Sequence, residues 1–188
     1  AYHLTRKGHK VEIREAEHVA GGMMHFGIPS YRLPRKELEA EIERIEQMGV
    51  TIKLNHRVED VMSEKEKGNF DAVFIAVGAH LGKKVEIPSK DDKKVLDAVR
   101  FLRSVEMEEA PALGKKVAVY GGGNTAMDAA RTAKRLGAEE VNIIYRRTRE
   151  QMPAHEFEAD EAIDEGVKIK WLRTIKEINR SDLKLEIM

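Results

Sequence analysis

Apolar and polar positions fall in short blocks along this chain, and the spacing within each block predicts an element. Val117, Ala118, Val119 and Tyr120 form an unbroken apolar run, as a strand buried on both faces would. Gly121, Gly122 and Gly123 interrupt it at once. A helix follows from about Asn124 to Leu136. Ala126, Ala129, Ala130, Ala133 and Leu136 supply its small-residue inner face, and Gly137 is a natural stop. Residues 141–145, VNIIY, read as the next strand. Strand, glycine turn, helix and strand in this order make a βαβ unit.

The same reading covers the rest of the chain. Residues 1–10 look like the back half of a helix closed by Gly8, and Val11, Glu12 and Ile13 like a short alternating strand. This is the second half of another βαβ unit, whose first strand and glycine turn are expected ahead of Ala1. A loop through Gly21, Gly22, Met23 and Met24 and on through Phe26 to Pro29 leads to a helix at 35–48. Leu38, Ile42, Ile45 and Met48 share one face of it. Residues 50–54 read as a strand, 58–67 as polar connecting structure, and 71–77 (DAVFIAV) as an apolar strand running into Gly78 and Ala79. Ile87, Pro88 and the charged run 89–94 look like a linker. A helix is expected at 95–107, with Val95, Val99 and Leu102 at helical spacing, and a second linker at 110–114. After residue 147 come a loop at 148–154, an acidic helix at 155–165 stopped by Gly166, and a strand at 167–172. A hairpin then pairs 175–178 with 183–187 around residues 179–182.

The glycine turn carries chemistry. Gly121, Gly123 and Ala126 complete a G-x-G-x-x-A pattern. Gly121 permits the sharp turn, Gly123 lets a pyrophosphate approach the backbone, and Ala126 lets the helix pack closely on its sheet. The first N–H groups of that helix and its partial positive charge (~+0.5) favour an anion. Where an NAD site usually places Asp or Glu after the second strand, this chain has Arg146 and Arg147. Two guanidinium groups suit a 2′-phosphate, so the pair favours NADP(H) over NAD(H). Without a ligand the same residues would be a solvated basic corner. Glu15 stands where a ribose-binding carboxylate belongs, although a solvated residue at a strand end fits its spacing as well. Met23 and Met24 also suit gap-filling in a core, and Arg32, between Pro29 and Pro34, suits a loop cation.

Composition narrows the class. The formal net charge is zero with 35% charged residues, which argues against a dedicated nucleic-acid binder. There is no cysteine, which removes disulfides, a Cys-ligated iron–sulfur cluster and a C-x-x-C pair from this polypeptide. No apolar run approaches the roughly 20 residues of a membrane span. No signal peptide is visible, so a cytoplasmic protein is expected. His155 and Glu156 lack the second histidine of H-E-x-x-H, and no metal is assigned. The acidic run 156–165 reads as a solvated helix face. No Ser/His/Asp or Cys/His arrangement stands out, so no catalytic acid or base is named, which agrees with hydride transfer between cofactors.

Two motif groups resemble one family. The first is Glu15 with GGMMHFGIPSYRLP (21–34). The second is GGGNTAMDAARTAKRLGA (121–138) with YRRTREQMPA (145–154). DAVFIAVGA (71–79) fits between them. The sequence is similar to the glutamate synthase small-subunit (beta chain) family of FAD/NADPH oxidoreductases, and to the matching domains of dihydropyrimidine dehydrogenase.

The resemblance implies an α/β fold with two Rossmann-like nucleotide-binding units, parallel sheets and flanking helices. The units would be a partial FAD domain at 1–88, a linker with a helix at 89–114, and an NADP(H)-binding domain from 115 to 188. It implies that Glu15 binds the adenosine ribose of FAD, that Gly22 and Met23 approach the flavin, that Arg32 reaches the FAD, and that Val58 contacts its adenine half. Gly121, Gly122, Gly123, Asn124 and Thr125 would hold the NADPH pyrophosphate and Arg146 and Arg147 its 2′-phosphate, with Arg149 as an addition. NADPH would pass hydride to FAD, and electrons would continue to an iron–sulfur domain or subunit outside this chain. No nucleic acid or membrane partner is expected, and sheet edges left open would favour a homo-oligomer. The FAD glycine fingerprint is absent from the sequence. The alternative is therefore an NADP(H)-binding module without flavin chemistry of its own.

Overall fold

The computed structural model describes residues 1–80, 82, 85–89, 95–179 and 182–188. The rest of the expected linker, 90–94, and the expected hairpin tip, Arg180 and Ser181, lie outside the described residues. The chain divides into two compact units, Ala1–Phe26 with Ser30–Ala79, and His80–Met188 with Gly27–Pro29.

In the first unit, helix α1 (Tyr2–Arg6) leads to strand β1 (Glu12–Arg14), which pairs in parallel with β2 (Thr51–Lys53). The short helix α2 (Met23–Phe26) replaces part of the expected loop and buries Phe26, while Met24 is exposed rather than core filler. Helix α3 (Arg35–Gln47) buries Leu38 and half-buries Ile42, Ile45 and Met48, the face its spacing predicts. Lys53 and Glu12 form an ion pair at 2.9 Å, and Arg14 adds a bond to the same carboxylate at 2.9 Å. The Lys53 bond leads the causes that hold Glu12 below its ordinary pKa.

Two further expectations fail in this unit. Much of 58–67 is helix α4 (Val61–Lys67), started by Asp60, whose Oδ1 accepts from the N–H groups of Met62 (2.9 Å) and Ser63 (3.0 Å). Residues 71–79 form no strand. Phe74 is 84% exposed and Val77 75% exposed. A strand of this composition needs neighbours on its ladder, and the sheet of this unit consists of β1 and β2 alone among the described residues.

The second unit is built on a parallel sheet in the order β3 (Lys116–Tyr120), β4 (Glu140–Ile144), β5 (Lys168–Lys170). The strand buried on both faces is β4, with Val141, Ile143 and Ile144 at 2% exposure or less. The apolar run of β3 is an edge strand among the described residues, paired with β4 on one side alone, and its Ala118 is exposed. Helix α6 (Asn124–Arg135) packs on β3 and β4 through Ala126, Ala129, Ala130 and Ala133, joined by fully buried Met127. Leu136 is exposed, not inward, because the helix has already reached its C-cap there and Gly137 turns the chain at φ +98.

Helix α5 (Ala98–Glu106) starts three residues later than expected, at the Asp97 cap. It turns Phe101 and Leu102 into the core and leaves Val95 exposed. Helix α7 (Glu156–Asp164) is not a wholly solvated acidic face, since Glu158 is buried at 1% exposure. Arg131 of α6 is also buried and donates to Glu165 (2.7 and 3.0 Å) and Glu161 (2.6 Å), while Arg135 donates to Glu165 at 2.7 Å. The Arg135 bond, opposed by burial and reinforced by Arg131, holds Glu165 below the usual carboxylate range. Strands β6 (Arg173–Asn179) and β7 (Asp182–Ile187) form the antiparallel hairpin its alternation predicts. Part of the expected linker pairs with it, through a parallel bridge from Ser89 to Ile178.

Candidate functional site

In the second unit the candidate residues gather at the carboxyl ends of β3 and β4, where ligands bind in open parallel α/β sheets. Gly121 leaves β3 at φ +149 and donates to the Ile144 carbonyl at 3.2 Å, tying the turn to β4. The next two glycines differ in kind. A Cβ on Gly122 would sit 2.4 Å from the Tyr145 ring, whereas a Cβ on Gly123 would meet nothing within 4 Å. Gly123 is the N-cap of α6, and the open space in front of it is where the first-turn N–H groups, including those of Asn124 and Thr125, lack intrahelical acceptors.

Arg146 and Arg147 follow β4 after one residue, Tyr145. Both are exposed, and neither side chain has a hydrogen bond or ion pair among the described residues. Arg149 is different, because its guanidinium is bonded to Asp160 on α7. That removes it from the pair as a comparably available cation. Beside it the Thr148 hydroxyl bond, with help from the backbone and Arg149, lowers the Glu150 pKa.

Sequence reasoning passes over Tyr145 as a site residue. It is buried, fills the space that Gly122 leaves open, and donates its hydroxyl to the Gln151 carbonyl at 2.7 Å. The signal was an aromatic residue at the last position of an apolar strand, immediately before a charged pair.

In the first unit Glu15 stands one residue past β1. It is half-buried, and its Oε1 accepts from the Glu17 N–H at 2.9 Å. The chain leaving β2 comes to the same edge, where His56 N–H donates to the Glu15 carbonyl at 2.7 Å and Asn55 N–H to the Glu17 carbonyl at 2.8 Å. Half-buried Val58 lies two residues further on. Gly22, at φ +53, leads into Met23, the first residue of α2, and this turn sits against α3, since a Cβ on Gly21 would press on Leu38 at 3.0 Å. Arg32 is half-buried and has partners. A groove of about 330 Å³ lies against α3 and β2, lined by Leu38, Ile42, Ile52 and Leu54, and holds none of the candidate residues.

The family model for pyridine nucleotide-disulphide oxidoreductases matches residues 1–188. The chain belongs to that family. It is 51% identical over 171 residues to the NADP(+)-dependent formate dehydrogenase subunit beta of Moorella thermoacetica, covering 89% of this chain and 24% of that protein. It is 36% identical over 179 residues to the putative glutamate synthase [NADPH] small chain of Cereibacter sphaeroides, covering 90% of this chain and 43% of that one. The chain thus spans less than half the length of these relatives. Among solved structures, FprA from Mycobacterium tuberculosis in complex with NADPH superimposes with a TM-score of 0.75 at 19% identity, covering 94% of this chain and 55% of that one. This places the mixed α/β fold with its parallel sheets among those of known oxidoreductases. Among the described residues no helix is long and apolar enough to cross a membrane, and no His, Asp and Glu cluster is arranged to hold a metal ion.

Proposed function

We propose that this chain is the nucleotide-handling part of an NADPH-dependent flavoprotein oxidoreductase of the cytoplasm. NADPH bound by the second unit supplies hydride to FAD held by the first, and the electrons leave to an iron–sulfur domain or subunit. The observation that carries the reading is the availability of Arg146 and Arg147 beside the open N-terminus of α6. In this reading Gly121, Gly122, Gly123, Asn124 and Thr125 receive the pyrophosphate, and the arginines form charge-assisted bonds to the 2′-phosphate. Glu15 has a second carboxylate oxygen available for a ribose hydroxyl, since only Oε1 is engaged by Glu17. Gly22, Met23, Arg32 and Val58 line the rest of the flavin half. The relatives named as subunits support assembly with a partner, and the exposed apolar stretch 71–79 supports self-association.

The test is calorimetric titration of the purified chain with NADPH and NADH, before and after Arg146→Ala with Arg147→Ala. A charge-assisted contact contributes ~1.5–3 kcal/mol. Exposure places this pair at the lower end, so NADPH binding should weaken about tenfold or more and NADH binding little. Equal weakening of both would sink the assignment. The lack of strand pairing at 71–79 favours a second reading, an NADP(H)-binding module without its own flavin chemistry. A flavin absorbance band in the purified chain decides against that reading.

A further inference from the structure

The motif YRRTREQMPA contains seven residues, 148–154, that the proposed function leaves without a task. In the structure they form a strap that starts after the arginine pair and returns to the glycine turn. Besides the Arg149 bond to Asp160, two bonds fasten it to the site. The Tyr145 hydroxyl donates to the Gln151 carbonyl at 2.7 Å, and the Ala154 N–H donates to the Gly122 carbonyl at 3.0 Å.

Tyr145 is itself held on every side. Its N–H donates to the Lys170 carbonyl at 3.0 Å, and its carbonyl accepts from the Arg173 N–H at 3.0 Å. Its ring meets Trp171 edge-on, with centroids 6.1 Å apart, and lies so close to Gly122 that a Cβ there would fall 2.4 Å from it. Two residues on, the Arg147 carbonyl accepts from the Leu172 N–H at 3.2 Å, and Leu172 occupies the left-handed region at φ +52, which a leucine rarely adopts. The backbone on both sides of Arg146 is therefore fixed, while the two guanidinium groups remain available.

We propose that Tyr145 is a positioning residue for dinucleotide recognition. Its ring sets the glycine turn, its hydroxyl sets the strap, and together they hold Arg146 and Arg147 at the 2′-phosphate position. The proposal rests on the NADP(H) reading of this site. It assigns a specificity role to a buried side chain that acts through its protein neighbours, and it explains why position 122 must be glycine for an internal reason.

The experiment is Tyr145→Phe, which keeps the ring and removes only the hydroxyl, measured by calorimetric titration with NADPH and NADH. The dissociation constant for NADPH should rise roughly three- to tenfold, the size of one net hydrogen bond, with that for NADH changed less than about twofold. Added to Arg146→Ala with Arg147→Ala, the same change should cost nothing more, because the groups it positions are gone. Gly122→Ala, which displaces the same ring, should lower the NADPH preference in the same direction. Equal weakening of both cofactors by Tyr145→Phe, an unchanged preference, or full additivity with the arginine variants overturns the proposal and leaves the NADP(H) reading intact. Absence of any NADPH preference in the unaltered chain overturns both.

Discussion

Gly122 and Gly123 are adjacent, chemically identical and part of one motif, yet the structure assigns them opposite sensitivities. An alanine at 122 would bring its Cβ to 2.4, 2.5 and 2.9 Å from three atoms of the Tyr145 ring. The ring cannot swing away freely, because its hydroxyl is bonded to the Gln151 carbonyl at 2.7 Å and Trp171 stands at its edge. Overpacking of this kind costs ~1–3 kcal/mol, and a chain of this size loses roughly 2–4 °C of melting temperature per kcal/mol. Gly122→Ala should therefore melt roughly 2–12 °C lower.

At 123 the backbone is extended, with φ −95 and ψ 174, and the new Cβ meets nothing within 4 Å. The entropy removed from the unfolded chain, ~0.4–1 kcal/mol, offsets the poorer N-cap that alanine makes, so the melting temperature should barely move. If the proposed NADPH site is right, its Cβ would instead stand where the pyrophosphate binds, and NADPH binding should weaken by more than about tenfold. Differential scanning calorimetry and titration on the same two samples make the comparison. A Gly123→Ala variant that melts as low as Gly122→Ala, or a Gly122→Ala variant that melts like the parent, would refute the division of roles.

Other perturbations test the packing around the site. Arg131→Met should cost about 2 kcal/mol by denaturant titration, below the ~3–5 of a fully buried pair, because Glu161 is half-exposed and Arg135 still faces Glu165. Glu165 is held below its ordinary value near 4.5, so it adds stability above that pH and loses it as pH falls through the lowered value. Glu165→Gln should accordingly reduce stability at neutral pH and flatten the acid side of a stability profile. Asp60→Ala removes two bonds to the first turn of α4 and should cost ~1 kcal/mol, read as faster amide exchange in residues 61–67. Phe74→Lys, at an exposed position, should leave stability within ~0.5 kcal/mol and lower dye binding and light scattering, since it breaks the apolar stretch.

What the sequence made legible is what local chemistry decides. The G-x-G-x-x-A turn, the alanine face of α6, the stop at Gly137 and the β6/β7 hairpin each follow from residues within one turn or one strand of each other, and each is present. The extent of burial on β3 was not legible. An apolar run states that a segment wants cover on both faces, but whether it is central or marginal depends on strands far away in sequence, and β4 took the central position. Helix α4 was missed for the opposite reason. It buries no residue and so shows no apolar stripe, although its start signal, Asp60, was in plain view.

The Tyr145 contact was hidden because Gly122 and Tyr145 are separated by the whole of α6, and nothing in the motif says which glycine faces inward. Residues 71–79 carry the same lesson furthest. Their composition demands a ladder and two covering faces, yet Val73, Phe74, Ile75 and Val77 are exposed. A hydrophobic pattern specifies the partner a segment requires without supplying it. The candidate FAD half, whose sheet pairs only β1 with β2 among the described residues, is therefore the half in which cofactor binding should depend most on what covers that stretch.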